Sequence, residues 1–171
     1  MRFARLTYMV ILSGASAWCA LIVLAPVAAS TPAFVPFGAI LYAFFSPLCH
    51  QLGARSFHLF GWPLAVCGRC SAIYFGFLSG TIAYPFARRI LRGARPGRTF
   101  LVVALAPMIL DVMFEAAGLH ESSNALRAVT GAWFGILLPF LIIPGAVEGI
   151  SQMFTQYNPS SIQFKKGPID A

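Results

Sequence analysis

Long apolar runs alternate with short polar ones along this chain. Residues 7–29, 64–87, 99–118 and 127–148 are each apolar over a length close to the ~20 residues that a helix needs to cross a bilayer at about 1.5 Å per residue. Polar, charged or proline-rich segments bound each run, and the pattern predicts four transmembrane helices. A fifth run, residues 33–48 (AFVPFGAILYAFFSPL), is intermediate in length, interrupted by Pro36 and ended by Pro47. It predicts a re-entrant or interfacial half-helix. Non-helical backbone at membrane depth is tolerated only against protein or a wet cavity, so this segment should line something. The first run follows Arg2 and Arg5 and ends on Ala28-Ala29-Ser30, as a secretory signal can. Its apolar core exceeds the usual ~7–15 residues of a signal, which favours an uncleaved span.

Composition agrees with this pattern. The 171 residues are 58% hydrophobic and 10% charged, whereas soluble proteins are about 25% charged. This excludes an ordinary soluble domain and an intrinsically disordered chain, and makes the lipid bilayer the solvent. Twelve Lys and Arg against five Asp and Glu give a net charge of +7, which in a soluble chain would suggest nucleic acid. Position gives the charge another meaning. Arg88, Arg89, Arg92, Arg95 and Arg98 lie between two apolar runs, and four spans put them with Arg2, Arg5, Lys165 and Lys166 on one side, predicted to be cytoplasmic. A fifth crossing would divide them. No nucleic-acid partner is expected, and no GxxxxGK[ST] phosphate loop is present. The expected all-α membrane protein is a single helical domain over residues 1–150 with a flexible cytoplasmic tail at 151–171. It would be a multi-pass protein of a bacterial or archaeal inner (cell) membrane with its N-terminus in the cytoplasm.

Once the spans are drawn, the chemically capable side chains gather toward the opposite side. Cys49, His50 and Gln51 end the half-helix, Arg55, Ser56 and His58 follow, and Cys67, Arg69, Cys70 and Tyr74 open the second span. Asp111 lies ~18 Å into a ~30 Å core counted from the cytoplasm, and Glu115 is one turn further. Arg127 opens the fourth span. A charge near mid-membrane costs roughly 2.5–3.5 kcal/mol on insertion scales, so Asp111 should have a task. Arg69 and Arg127 are its counter-charges, either in an ion-pair clasp that fixes helix register or in a proton relay or substrate contact. At about 100° per residue, Cys67, Cys70 and Tyr74 share one helix face while Arg69, Gly76 and Gly80 share the opposite one. Gly76 with Gly80, and Gly131 with Gly135, are small-xxx-small seams through which the second and fourth spans can pack closely.

The thiols admit several chemistries. Cys67-Gly68-Arg69-Cys70 is a CxxC, and Cys49-His50 precedes it by 18 residues. Zinc takes four N or S ligands, which Cys49, His50, Cys67 and Cys70 would supply as three thiolates and one imidazole, with His58 or His120 as substitutes for His50. In a redox reading, Cys67 and Cys70 exchange a disulfide with Cys49 as the resolving thiol, and Arg69 or Arg127 stabilises a thiolate or a reduced quinone. An extracytoplasmic face is where disulfides persist. The cysteines can also be read as packing residues or as one structural disulfide. Ser71 after Cys70 disfavours c-type haem attachment, which requires His there. Cys19, inside the first apolar run, is expected to pack, and Tyr8, Tyr42, Tyr84, Trp62 and Trp133 to anchor or pack.

The segments CHQ (49–51), RSF (55–57), VCGRCSAIYFG (66–76), the Asp111 span and SNALRAVTGAWFG (123–135) resemble a small prokaryotic membrane-protein family classed as a domain of unknown function. Its pattern runs CHQ, RSF, CxRCxGIYxG, a mid-membrane aspartate followed by Gly, and RxxTG. The resemblance covers about residues 45–145. Ala72 and Val112 stand where the pattern has Gly, which changes packing and leaves the polar set intact. The resemblance implies an integral membrane protein with a thiol, histidine and arginine centre. The architecture is also similar to that of quinone-linked disulfide-forming membrane proteins, which use two cysteine pairs, whereas here Cys49 is the only other outer cysteine beside the CxxC, Cys19 lying in the first span. A non-catalytic subunit of a larger membrane complex, its arginine loop drawn to anionic lipid or an acidic partner, is a further expectation.

Overall fold

Prolines and glycines divide the apolar runs into helices at the places where the backbone must turn. A computed structural model describes residues 2–90, 97–119 and 121–156. Its helices are α1 (Arg2–Ser30), α2 (Val35–Phe45), α3 (Gly68–Ile90), α4 (Arg98–Ala116), α5 (Asn124–Leu137) and α6 (Pro139–Gln156). Among the described residues, four segments are long and apolar enough to cross a membrane: Ala4–Ser30, Gly68–Arg89, Arg98–Ala116 and Asn124–Ile150. The fourth comprises α5 and α6, which meet at Leu138 just before Pro139. The protein is thus an all-α membrane protein whose spans coincide with the four apolar runs.

The boundaries shift for local reasons. The second span starts at Gly68 rather than 64, because Leu64 donates its N–H to Phe57 O as part of the preceding loop. The Cys67 carbonyl then accepts a helical bond from Ser71 N. At the other end α6 continues to Gln156, into the segment expected to be a loose tail. The remainder of that tail, with Lys165 and Lys166, and the loop residues Arg92 and Arg95 lie outside the described residues.

A 3-10 turn at Pro32–Phe34 reverses the chain, and α2 runs back along α1. Gly38 permits this contact, since a Cβ there would stand 2.8 Å from Ala29 N. The half-helix lines a buried cluster in which Leu41, Phe45 and Cys49 meet Ile22, Ala25, Ala65 and Val66. The chain then passes through a 3-10 turn at Gly53–Arg55 and a short antiparallel ribbon, β1 (His58–Leu59) with β2 (Trp62–Pro63). Phe60 and Gly61 at its tip have φ of 53° and 81°, the left-handed pair of a tight hairpin turn.

The α3–α5 interface is the most extensive in the molecule. The two helices run parallel, with Arg69 and Ala72 against Gly131, Ile73 against Gly135, Gly76 against Ala132 and Gly80 against Ile136. Both predicted glycine seams face each other here. α4 runs antiparallel to this pair, joined by charges at one end and by Trp133 Nε1 donating to Val103 O at 3.1 Å further along. α1 is antiparallel to α3, through Tyr8 Oη to Thr81 O (3.2 Å) and Cys19 Sγ to Tyr74 O (3.4 Å). These directions collect Arg5, Arg88, Arg89 and Arg98 at one end of the bundle and the thiols toward the other.

Candidate thiol and ion-pair site

Cys67 stands immediately before α3 and Cys70 is its third residue, so the CxxC geometry follows from helix phase alone. Cys49 reaches them from the end of the half-helix. The sulfurs of Cys49, Cys67 and Cys70 all lie within 4.8 Å of one another, and Cys67 N donates to Cys49 Sγ at 3.1 Å. All three are free thiols, Cys49 buried and the other two partly so. The adjoining Cys70 thiol, followed by the Cys70 and Arg69 backbone N–H groups and the Cys49 thiol, stabilises a negative sulfur at Cys67 against the opposing effect of burial. The result draws the Cys67 thiol down to about 5. Thiolates at helix N-termini are favoured in the same way.

The CHQ segment is held by its glutamine. Gln51, at φ 50°, donates through Nε2 to Tyr42 O and Ala65 O, both at 2.8 Å. Tyr42 Oη in turn donates to Pro63 O. These bonds tie the end of α2 to the segment entering α3 and fix Cys49 over the CxxC. His50 is exposed and is not a member of the thiol group. His58 is exposed on the ribbon, and His120 lies outside the described residues. The expected set of three cysteines and a histidine is therefore a set of three cysteines.

On the opposite face of α3, Arg69 points into a charged cluster. Its Nη2 donates to Asp111 Oδ2 and lies 3.2 Å from Glu115 Oε2. Glu115 Oε1 also receives Arg127 Nη2 at 2.6 Å and Arg55 Nη2 at 3.3 Å. Arg127 Nη1 further donates to Asn124 Oδ1, and Asn124 Nδ2 to Ala54 O. One acidic pair on α4 thus gathers cations from the RSF loop, the CxxC helix and the RxxTG helix. Arg69, Asp111 and Arg127 belong to this cluster, separate from the sulfurs, with both guanidinium groups engaged by carboxylates. Glu115 is its hub, a role that its i, i+4 spacing from Asp111 suggested and its position at the end of an apolar run obscured. Asn124 had no such signal, being one polar residue in a polar loop.

The remaining motif residues shape the backbone around this centre. Ser56 Oγ donates to Leu52 O. Gly68 leaves room for the Phe57 ring and Arg55 O, 3.3 Å from where its Cβ would be. Thr130 Oγ1 donates to Leu126 O, and Gly131 lets the Arg69 carbonyl approach. Ala72 presents its Cβ 3.3 Å from the Cβ position of Gly131, so its departure from the family pattern bears on the α3–α5 contact.

Between α1 and α3, Gly14, Trp18, Cys19, Tyr74 and Phe77 border an apolar cavity of about 540 Å³. Trp18 and Tyr74 stack obliquely at 5.8 Å between ring centroids. Trp18 and Tyr74 also pack against the buried cluster that contains Cys49, so this cavity adjoins the thiol group.

The segment that carries these features also carries the likeness to other proteins. Residues 49–141 match the model of a family described as "Predicted membrane protein (DUF2085)". An uncharacterized protein of Methanocaldococcus jannaschii is 43% identical over 114 residues, spanning 67% of this chain and 73% of that protein. An uncharacterized protein of Methanothermobacter thermautotrophicus is 32% identical over 97 residues, 57% of this chain and 86% of that protein. No solved structure matches. The matched region runs from Cys49 past the α5 glycines and so contains every residue of the thiol group and the charged cluster: the chain belongs to this DUF2085 family of membrane proteins.

Proposed function

We propose that the chain is a thiol–disulfide redox protein of the membrane, with Cys67 and Cys70 as the exchanging pair and Cys49 as the resolving thiol. The observation that carries this reading is a third thiol within 4.8 Å of a CxxC that opens a helix. The Cys67 thiolate attacks one sulfur of a substrate disulfide and displaces the other as a thiolate, which takes up a proton. Cys70 then attacks the mixed disulfide, leaving Cys67 and Cys70 oxidised and the substrate reduced by two electrons; the reverse sequence oxidises a dithiol. Cys49 accepts the disulfide from either cysteine by the same exchange. A quinone, when bound, supplies an acceptor for two electrons and two protons. The apolar cavity bordered by Trp18 and Tyr74, two residues that also pack against the cluster containing Cys49, is where this chain would hold it. Arg69, Asp111, Glu115 and Arg127 act as positioning residues that fix α3 against α4 and α5. We place the thiol site on the extracytoplasmic side, with the N-terminus and the arginine end in the cytoplasm, on the distribution of basic residues.

A second reading, a soft-metal site, rests on the convergence of the same three sulfurs. Zinc–thiolate bonds of about 2.3 Å need little closure of such a group, and an external donor would complete the tetrahedron. One experiment separates the two. The protein is purified in detergent, its metal content is measured, and free thiols are counted before and after reduction. Redox chemistry requires metal-free protein in which two of the three site thiols disappear on mild oxidation and return on reduction. Stoichiometric metal with all three thiols reduced overturns it and establishes the metal site.

A further inference from the structure

At the end of the bundle opposite the thiols, α1, α3 and α6 border an open cavity of about 460 Å³, within the roughly 300–1,000 Å³ range of small-molecule sites. Its rim and floor differ in chemistry. Arg5, Arg88 and Arg89 supply three guanidinium groups, while Tyr8, Tyr84 and Ile143 form an apolar floor in which Tyr84 and Ile143 are buried. Arg88 Cζ lies 6.0 Å from the Tyr84 ring centroid, a cation–π contact that holds the charge over the cavity. Among the described residues, none of the three arginines forms an ion pair with a carboxylate. Glu148, on α6 beyond the cavity lining, has an interaction of its own. The cavity therefore combines concentrated positive charge with a floor that water solvates poorly. An inorganic anion would satisfy the rim and leave the floor uncovered, whereas an amphiphile with an anionic head covers both. Such amphiphiles surround the helix ends of a membrane protein, where basic pockets between helices take up acidic headgroups.

We infer that this cavity binds the phosphodiester headgroup of an anionic glycerolipid, with Arg5, Arg88 and Arg89 around the phosphate and Tyr8, Tyr84 and Ile143 against the glycerol and first chain carbons. The site is independent of the thiol chemistry. Its test uses the full-length protein, delipidated in detergent and titrated with phosphatidylglycerol or phosphatidylcholine, with retained lipid counted by native mass spectrometry. One phosphatidylglycerol per chain should be held in preference to phosphatidylcholine. Arg88→Gln should weaken it about fivefold, and Arg88→Gln with Arg89→Gln about twentyfold, while Arg88→Lys restores most of the affinity. Arg98→Gln, at the same end and outside the cavity, should leave retention unchanged. Equal loss with Arg98→Gln would assign the attraction to diffuse charge and overturn the site. Inorganic phosphate that displaces the lipid at equal concentration would make the occupant a free anion and overturn the lipid assignment. If the double variant does not fold, the comparison of Arg88→Gln with Arg98→Gln decides.

Discussion

Asp111, with its side chain 2% exposed, receives the guanidinium of Arg69 from the helix that also carries the CxxC. Removing one partner of such a buried pair leaves the other charge stranded, at a cost of about 3–5 kcal/mol. Arg69→Gln should therefore destabilise the protein by that order, and Arg69→Gln with Asp111→Asn by distinctly less, because neither charge remains. Unfolding of the detergent-solubilised variants measures both. Equal losses would mean that the pair does not act as a unit.

Arg55 and Arg127 approach the same oxygen, Glu115 Oε1, from different surroundings, with side chains 52% and 10% exposed. Exposed pairs are worth about 1 kcal/mol or less. Arg55→Gln should barely shift the unfolding midpoint while Arg127→Gln lowers it strongly. A larger effect at Arg55 would relocate the anchor of the cluster to the loop.

The glycine seam makes a prediction of opposite character. A Cβ at Gly76 would lie 2.8 Å from the Ala132 carbonyl oxygen, whereas nothing lies within 4 Å of one at Gly145 in α6. Gly76→Ala should cost about 1–3 kcal/mol by overpacking, and Gly145→Ala should gain up to about 1 kcal/mol from helix propensity. Stability measurements that rank them in reverse would argue against the close α3–α5 contact.

The four spans, the half-helix and the facing glycines were legible because apolar length and small-residue spacing are local properties of the chain. Asp111 with Arg69 was legible too, since an intramembrane charge demands a counter-charge and few are available. The position of His50 was not legible, because adjacency to Cys49 in sequence says nothing about direction: His50 is exposed, while Gln51 turns its amide to two carbonyl groups. The roles of Gln51 and Asn124 depend on carbonyl groups 14 and 70 residues away, which no local pattern encodes.

Gln51 offers a direct handle on the thiols. Gln51→Ala removes both of its hydrogen bonds to carbonyl oxygens, at about 1–3 kcal/mol for buried polar groups left unpaired, and should speed maleimide labelling of buried Cys49. Gln51→Gly relieves the positive φ yet loses the same bonds, so it should label as fast as Gln51→Ala. Slow labelling in the glycine variant would show that backbone conformation, rather than the amide bonds, holds Cys49.

The depressed Cys67 thiol sets a pH profile. Alkylation of Cys67 should rise through an inflection near pH 5, well below the ~8.5 of a free cysteine. Because the Cys70 side-chain hydrogen bond is the largest cause, Cys70→Ala should move the inflection upward. Mass-spectrometric rates over pH 4–9 test both, and an unchanged inflection in Cys70→Ala would remove Cys70 as the cause.

With glycines on both sides of the seam, α3 is pressed backbone to backbone on α5 and has little freedom to slide. A bond between Cys49 and either of the α3 cysteines must then be absorbed by the partner that lacks such a backing, the chain around Cys49. On the proposed chemistry, a bond to Cys49 would accordingly be displayed in the 46–63 loop, whose residues are largely exposed and open to another molecule.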